Sequence, residues 1–404
     1  MTILFIWNYH YFPFEKGKSR FSDFLDELAA KGHDVEVVCS TFYHMGKSFR
    51  DVSDPRLACL PYKTTLIPEL GYKKNISFRR WRSIRAFNRG VERFLSNHDG
   101  VDEVYIPIPS NELALIGERF AQRVGAKVIL DIEDLWPESF RMIKAVRPFY
   151  RPLFGKSEKR RARTLAQADG LVAVSQTYLN LGLASAKAGT PAVSAPIGAD
   201  VEYVRALQMQ HVSKKKPGEF WVGYIGTLSK SYDLYTVIDA LDALAIAHFD
   251  NFVLKIMGSG PNLEDVRKYA SKKHGKVEFL GLLPYNAMCE VLFDCDVGLN
   301  PIIATSVSSL INKIADYAAC SVPVINTQQS AEYRSLLANY EAGWNIWPKD
   351  VIALQKALVF ALKHPEQLIK AKQGALSLAV NELNRADSQR KMLGLIESLG
   401  GKKQ

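Results

Sequence analysis

Short apolar runs alternate with apolar residues at helical spacing along the chain. Residues 2–7 form an apolar run of the kind found in buried parallel strands. Five apolar residues between positions 21 and 29 then recur at helical spacing, Gly32 predicts the end of that helix, and residues 34–39 predict a second strand. This order of strand, helix and strand indicates a parallel sheet with helices on its faces.

The same alternation of strands and helices continues along the chain, is interrupted once, and then resumes. Further strands are predicted at 103–106, 127–130 and 171–174, and after the interruption at 221–225, 252–257, 277–280, 297–299 and 322–325. Residues 180–220 contain Pro191, Pro196 and Gly198, which argue against a helix there, and residues 211–218 resemble a basic linker. A ligand site is expected where the strands of such sheets end.

We therefore predict an α/β fold with two doubly wound Rossmann-like domains that face each other across a cleft. The predicted bounds are 1–198 for the first domain, 199–385 for the second, and 386–404 for a C-terminal helix and tail. Apolar residues in helical register between 383 and 399 predict that helix.

Composition narrows the class of protein. The chain has 404 residues, of which 47% are hydrophobic and 23% charged, as in an ordinary globular protein of about two domains. No apolar run reaches the roughly 18 residues of a membrane span, and the first residues lack the basic region of a signal peptide. Five cysteines without a C-x-x-C pair are typical of a reduced, cytoplasmic protein without a zinc ribbon.

The net charge of +10 is concentrated in two segments. Residues 73–93 hold eight Lys/Arg and one acid, and residues 141–163 hold nine Lys/Arg and one acid, both interleaved with aromatic residues. Basic residues beside aromatic ones favour peripheral binding to the anionic inner face of the cell membrane. A solvated face beside a phosphate cleft is the plainer alternative; nucleic acid is disfavoured, because no nucleic-acid-binding motif is visible.

Four motifs in the second half carry chemistry. They are GYIGTLSK at 223–230, KIMGSGP at 255–261, VEFLG at 277–281, and SSLINKIADYAAC at 308–320. Glycine lets a backbone approach a phosphate, and lysine supplies charge. The serines at 308 and 309 predict the start of a helix whose N–H groups suit a pyrophosphate. Asp316, predicted two turns into that helix, could accept hydrogen bonds from ribose hydroxyls.

In this order, the motifs resemble those of retaining glycosyltransferases of the GT-B fold, family 4. The first half is also similar to that family, in residues 20–38, in DIEDLWPES at 131–139 and in IGAD at 197–200. The resemblance covers nearly the whole chain. Within the family, the chain resembles the bacterial polysaccharide-assembly members.

The resemblance implies transfer of a hexose from a nucleotide sugar, with UDP favoured, to a lipid-linked or polysaccharide acceptor in surface-glycan synthesis. It implies retention of anomeric configuration and no metal or other cofactor. The departing diphosphate would be stabilised by Lys230 and by backbone groups near Ser308, Ser309 and Leu310. Other donor contacts would come from Gly226, Thr227, Gly258, Gly260, Leu282, Lys313 and Asp316.

This chain departs from the family pattern at several of these positions. Ser308 stands where the family has the first Glu of a pair, and the second Glu has become Asp316. Thr227 replaces the usual Arg, and Lys230 matches the usual Lys only with shifted spacing. Lys313 is a candidate to restore the lost positive charge.

Four further candidate residues come from the first half of the chain. Glu133 and Asp134 follow a predicted strand, where the family has a His-Asp pair, and are assigned to acceptor binding or catalysis. His10 lies beyond the first strand and is assigned to substrate, as is Arg20 at the start of the family-like segment 20–38.

Two other functions stay open at this point. The chain could be a different nucleotide-sugar enzyme of the same fold, such as an epimerase, which needs no acceptor. It could also be a catalytically inactive scaffold in a membrane assembly, in which case Lys230 and Asp316 would be dispensable.

Overall fold

A computed structural model describes residues 1–15, 20–75, 77–108, 110–134, 150–303 and 310–400. The chain divides into two compact units. Unit 1 comprises Met1–Ala195 with Gln389–Gln404, and unit 2 comprises Pro196–Ser388. The sequence-based boundaries after residues 198 and 385 each stand three residues from these divisions.

Unit 1 is built on a seven-stranded parallel sheet in the order β5-β2-β1-β6-β7-β8-β9. Its elements are β1 (Thr2–Ile6), α1 (Ser22–Ala30), β2 (Asp34–Ser40), β3 (Phe42–Tyr43), β4 (Ser48–Phe49), a 3-10 helix (Pro55–Cys59), β5 (Lys63–Ile67), α2 (Phe78–Ser96), β6 (Glu103–Ile108), α3 (Asn111–Val124), β7 (Lys127–Ile132), α4 (Tyr150–Gln167), β8 (Gly170–Ala173), α5 (Gln176–Leu183) and β9 (Ala192–Ser194).

Unit 2 has a six-stranded parallel sheet in the order β12-β11-β10-β13-β14-β15. Its elements are α6 (Val201–Met209), β10 (Phe220–Ile225), α7 (Leu234–Ile246), β11 (Phe252–Met257), α8 (Leu263–Ala270), β12 (Lys276–Gly281), α9 (Tyr285–Asp294), β13 (Val297–Asn300), α10 (Lys313–Ala319), β14 (Val324–Asn326), α11 (Ala331–Asn339), β15 (Gly343–Asn345), α12 (Val351–Lys363) and α13 (Pro365–Asn381). The last helix, α14 (Arg385–Gly400), begins at the end of unit 2.

The central strands are mainly apolar because both of their faces are buried. In β10, Phe220, Val222 and Tyr224 pack into one apolar cluster of unit 2. The alternating residues Trp221 and Ile225 pack into the cluster on the other face. This is the burial expected of a parallel sheet covered by helices on both sides, and it confirms the predicted α/β class.

The C-terminal helix returns to unit 1, as predicted. Met392, Leu393 and Ile396 of α14 are buried in the same apolar cluster as Ile3 and Phe5 of β1. Their apolar contacts explain why the last residues of the chain group with the first ones.

Two local predictions are wrong. The interruption at 180–220 contains a helix after all, because the prolines and Gly198 precede Asp200, whose side chain caps α6 at the N–H of Tyr203. The basic stretch 211–218 lies within unit 2 instead of linking two domains, and Lys215 there pairs with Asp296 at 2.9 Å.

Candidate active site

Two glycine turns meet where β10 and β11 end in unit 2. The N–H of Gly226 donates to the carbonyl of Met257 at 3.0 Å, and the N–H of Leu228 donates to that of Ser259 at 3.0 Å. A side chain at Gly258 would collide with the carbonyl oxygen of Gly226. Both turns therefore depend on glycine for a close backbone approach, and Gly226 also has a φ of 125°, which other residues rarely adopt.

Helix α10 is fixed beside these turns by a buried tyrosine. The hydroxyl of Tyr317 accepts from the N–H of Ile225 at 2.9 Å and donates to the carbonyl of Leu299 at 3.0 Å. Its ring lies so close to Gly298 that a side chain there would clash with it. This packing holds the first turn of α10 against the carboxyl end of β10.

Lys313, the first residue of α10, is a buried cation without a partner among the described residues. It is 8% exposed, and its Nζ makes no hydrogen bond. The amine lies 3.7 Å from the ring centre of Tyr232 and 4.4 Å from that of Tyr224. It also lies 3.5 Å from the point where a Cβ on Gly226 would be.

The electrostatics of Lys313 follow from this environment. Burial holds its pKa well below the usual value for lysine, and only the two aromatic faces offset that effect. The amine is thus placed at the glycine turn, where an anionic group could supply the missing negative charge.

Asp316 lies in the first turn of α10 instead of two turns into a longer helix, which corrects the sequence prediction. The described part of this segment turns at Leu310 and becomes helical only at Lys313, while Ser308 and Ser309 lie outside the described residues. The carboxylate of Asp316 accepts from the hydroxyl of Tyr285 at 3.0 Å.

The remaining donor-side candidates are at the surface. Lys230 and Thr227 are exposed, and no described residue forms an ion pair with Lys230. Leu282 is 81% exposed directly after β12, an unusual position for a leucine. Gly260 packs against the carbonyl of Leu228, which leaves no room for a side chain. The sequence-predicted residues Gly226, Gly258, Gly260 and Lys313 are thus brought together.

In unit 1, buried charged groups gather at the end of β7. Arg20 is buried and lies 3.4 Å from Asp131, which also accepts from the hydroxyl of Tyr105 at 2.7 Å. Burial, with the nearby charges of Asp131 and Asp134, raises the pKa of Glu133 to about 8 despite Arg20. At neutral pH, Glu133 is mainly protonated and can donate a hydrogen bond.

Two acceptor-side predictions need correction. His10 is only 1% exposed, and its ring packs against Phe12 and Tyr62, so it has no free face for a substrate. Burial lowers the pKa of His10 to about 3. Arg20 is likewise enclosed, so it acts on Asp131 and Glu133 and not on a ligand at the surface.

Sequence reasoning missed the aromatic residues that line these sites. Tyr224 and Tyr232 reach Lys313 from about 80 or 90 positions earlier in the chain, and Tyr285 lies 31 positions before Asp316. Such pairings leave no local signal. Within the described ranges, no group of three or more His, Cys, Asp or Glu could hold a metal ion.

Residues that form the second sheet match a known protein family. Residues 219–364 match the family described as "Glycosyl transferases group 1". This part of unit 2 is therefore similar to a glycosyltransferase group 1 domain. The glycine turns, Lys313 and Asp316 all lie within the group 1 domain. No curated protein sequence matches the chain.

Solved structures agree with the fold. HepE of Anabaena, crystallised with UDP, has a TM-score of 0.69 at 14% identity, covering 98% of this chain and 100% of HepE. Sucrose-phosphate synthase of Thermosynechococcus elongatus has a TM-score of 0.70 at 17% identity, covering 99% of both chains. WaaG, a glycosyltransferase involved in lipopolysaccharide biosynthesis, has a TM-score of 0.66 at 16% identity, covering 97% of this chain and 99% of WaaG. The fold that carries the group 1 domain is the Rossmann-like GT-B fold.

Proposed function

We propose that the chain is a retaining, metal-independent glycosyltransferase of family 4 that uses a UDP-sugar. The acceptor is a lipid-linked or polysaccharide chain in bacterial surface-glycan synthesis. The group 1 domain supports the reaction class. HepE has been crystallised with UDP and with UDP-glucose, which supports a uridine nucleotide as the donor.

The observation that carries the proposal is the unpartnered amine of Lys313 at the glycine turn. When the bond between the anomeric carbon and the diphosphate oxygen breaks, negative charge develops on the departing diphosphate. Lys313 takes up a proton on donor binding and stabilises that charge, together with backbone N–H groups of the turn after Gly226. Lys230 and the backbone near Ser309 are the further candidates for this role.

The nucleoside half of the donor is assigned to the neighbouring turns. Asp316 accepts hydrogen bonds from the ribose hydroxyls, and the hydroxyl of Tyr285 holds its carboxylate in place. The exposed side chain of Leu282 covers one face of the base, beside the turn at Gly258 and Gly260.

The acceptor is assigned to unit 1 at the end of β7. Glu133 and Asp134 bind the acceptor hydroxyl, and the hydroxyl proton passes to the ionised form of Glu133 as the new glycosidic bond forms. A carboxyl group with a pKa of about 8 exchanges a proton readily near neutral pH.

A membrane-borne acceptor is supported by the surface of α2. Phe78 is 70% exposed and Trp81 is 49% exposed, and their stacked rings lie 5.2 Å apart. Phe87 and Val91 on the opposite face are buried in unit 1. Arg79, Arg82, Arg85, Arg89 and Arg93 are exposed beside the rings.

This surface would hold the protein at the inner face of the cell membrane. The rings enter the headgroup layer while the arginines attract anionic lipid. In the second basic segment, residues 141–149 lie outside the described residues, and α4 carries the remainder. None of the helices in the described ranges has the length and apolarity needed to cross a bilayer.

The donor is tested by thermal shift with UDP, GDP, ADP and uridine, because a ligand that binds the folded state raises the melting temperature. We expect UDP to raise it most and uridine to have little effect. Failure of every nucleotide to bind would contradict the proposal.

The reaction is tested by incubating the protein with UDP-sugars and a lipid-linked acceptor in the presence of EDTA. NMR of the product should show the anomeric configuration of the donor. Interconversion of the sugar without an acceptor would point to an epimerase. Full cellular function with Lys313→Met and Asp316→Ala would point to a scaffold.

Membrane binding is tested by flotation with vesicles of phosphatidylglycerol and of phosphatidylcholine. The protein should float with the anionic vesicles alone, and the double variant Phe78→Ser, Trp81→Ser should remain at the bottom. Equal flotation of the variant would remove α2 from this role.

A further inference from the structure

Two cations without a carboxylate partner among the described residues lie in unit 1, between the β3–β4 hairpin and the first turn of α2. Lys47 follows the hairpin turn, and its Nζ lies 4.9 Å from the ring centre of Tyr72. The guanidinium of Arg80 lies 5.6 Å from the same ring and donates to the hydroxyl of Tyr9 at 2.9 Å. We call Lys47, Arg80, His44, Tyr9 and Tyr72 the Lys47–Arg80 cluster.

No carboxylate among the described residues forms an ion pair with either cation. Lys47 donates to the side-chain oxygen of Asn75 at 2.7 Å, and Arg80 donates to the backbone oxygen of Asn75 at 2.7 Å. The Nε of Arg80 is buried without a hydrogen-bond partner. Glu69, the neighbouring acid, is instead occupied by the hydroxyls of Ser40 and Ser83.

The histidine in the cluster reports the excess positive charge. The ring of His44 is tilted against that of Tyr9 with their centres 4.9 Å apart, and its Nδ1 contacts the hydroxyl of Tyr72. Burial, together with the charges of Lys47 and Arg80, lowers the pKa of His44 to about 4. Two cations, a neutral imidazole and two phenol hydroxyls can together hold an anion with several oxygen atoms.

The apolar surroundings indicate where that anion comes from. Phe78 and Trp81 are in the same first turn of α2 as Arg80, and both rings are exposed, whereas Arg80 extends toward Tyr9 and Tyr72. Phe49, also exposed, lies at the end of the hairpin that carries Lys47. An anionic group bound at the cluster would therefore have exposed aromatic surface beside it.

We propose that the Lys47–Arg80 cluster binds the phosphate of a lipid phosphate ester, with the hydrocarbon chain lying on Phe78 and Trp81. This assignment deepens the proposed function, and it rests on that function's lipid-linked acceptor. The oxygens of the phosphate accept from Lys47, which has no carboxylate partner among the described residues, and from the Nε of Arg80, which has no hydrogen-bond partner there.

The test uses farnesyl phosphate, farnesol and inorganic phosphate, titrated into the full chain without any donor sugar. Farnesyl phosphate should bind at least about tenfold more tightly than either of the others, since it alone uses both the cations and the rings. Equal binding of farnesol, or of inorganic phosphate, would overturn the proposal.

Substitutions in and near the Lys47–Arg80 cluster test whether farnesyl phosphate binds there. Lys47→Met should weaken farnesyl phosphate roughly tenfold, the typical effect of one charge-assisted hydrogen bond. The control Lys63→Met removes an exposed cation that pairs with Asp34 and should have no effect. Phe78→Ser should weaken farnesyl phosphate and leave inorganic phosphate unchanged. An unchanged affinity in Lys47→Met would contradict the assignment.

A spectroscopic measurement on the wild-type chain tests the site without any substitution. The NMR-detected pKa of His44 in the wild-type chain should rise when farnesyl phosphate binds, because the anion stabilises the imidazolium form. An unchanged pKa of His44 would show that farnesyl phosphate binds elsewhere. UDP binding is measured on the same samples: its loss in Lys47→Met would assign the cluster to the donor. Intact UDP binding with no farnesyl phosphate binding would refute this inference alone.

Discussion

The carboxyl edges of the two sheets each hold one buried cation, in opposite electrostatic settings. In unit 1, Arg20 lies 3.4 Å from Asp131, which is also hydrogen-bonded to Tyr105. In unit 2, Lys313 faces aromatic rings and a glycine turn, and its amine has no hydrogen-bond partner among the described residues. The first edge supplies its own counter-charge, whereas the second leaves that charge to a ligand.

This difference fits the two substrates of the proposed reaction. A buried charge without a partner is costly, so burial favours loss of the proton from free Lys313, and an arriving diphosphate favours its return. The compensated edge in unit 1 presents Glu133 as a mainly neutral carboxyl group, which suits a sugar hydroxyl. One edge is therefore suited to an anion and the other to an uncharged acceptor group.

The difference between the two edges is tested most strongly by removing the basic side chain from each edge and measuring the free energy of unfolding. Arg20→Met leaves Asp131 buried without its partner, and we expect it to lower the free energy of unfolding by about 3–5 kcal/mol. Urea denaturation followed by circular dichroism measures this. The double variant Arg20→Met, Asp131→Leu should recover most of the loss. A loss below about 1 kcal/mol would show that the pair is not what stabilises this edge.

The corresponding change in unit 2 should have the opposite sign. Lys313→Met removes an unpaired amine, so the free protein should melt at a higher temperature by several degrees. The same variant should weaken UDP roughly 100-fold, the upper range for a charge-assisted hydrogen bond to phosphate.

Lys255 provides the matched control for Lys313. It is also buried, but it pairs with Glu278 at 2.6 Å and lies over the ring of Trp221. Lys255→Met should lower stability and leave UDP affinity unchanged. If both lysine variants behaved alike in stability and in UDP binding, the special role of Lys313 would be lost.

The glycine turn can be broken without altering charge. Gly258→Ala places a methyl group against the carbonyl of Gly226, and we expect a stability loss of about 2 kcal/mol with weaker UDP binding. Gly394→Ala is the control, because nothing lies within 4 Å of that position in α14. It should raise stability slightly, as alanine favours helix. Unfolding curves and UDP titrations of both variants would decide whether the close approach matters.

Expressed per pH unit, the smallest expected effect is the pH dependence of stability that comes from Glu133. Its folded-state pKa of about 8 exceeds the usual value near 4.5, so the folded protein holds a proton that the unfolded chain has lost. Stability from this group is complete below pH 4.5 and is lost as pH rises toward 8, with a slope of at most about 1.4 kcal/mol per pH unit.

Glu133→Gln isolates that contribution. The variant should flatten the stability profile between pH 5 and 8, as measured by urea denaturation at a series of pH values. An unchanged slope would show that Glu133 titrates normally and that its edge is charged at neutral pH.

The sequence predicted the parts of the fold that are encoded locally. The apolar run of β10 and the helical spacing of α1 each depend on neighbours along the chain, so their class could be derived directly. The helix containing Asp316 was placed too early, because serines at 308 and 309 are good caps but α10 begins only at Lys313. Tertiary packing by Tyr317 fixes that start, and no local pattern encodes it.

The sequence predicted the glycine turns of the candidate site. It predicted less well which charged residues belong to the site. Gly226 and Gly258 stand in recognisable turns, but burial of His10 depends on Phe12 and Tyr62, the latter 52 positions away. Lys230 was favoured over Lys313 because it adjoins the glycine turn in sequence. Lys313 reaches the same turn from across the sheet, which only the tertiary structure reveals.

The most direct test of the account is calorimetric titration of UDP into the wild-type chain and Lys313→Met at pH 8, in two buffers of different ionisation enthalpy. At this pH the UDP phosphates are already ionised, so any proton taken up comes to the protein. We predict that UDP binding is accompanied by proton uptake in the wild type, and that the variant binds UDP more weakly and takes up less. Equal affinity and equal proton uptake in the two proteins would contradict the assignment of Lys313 to the donor diphosphate.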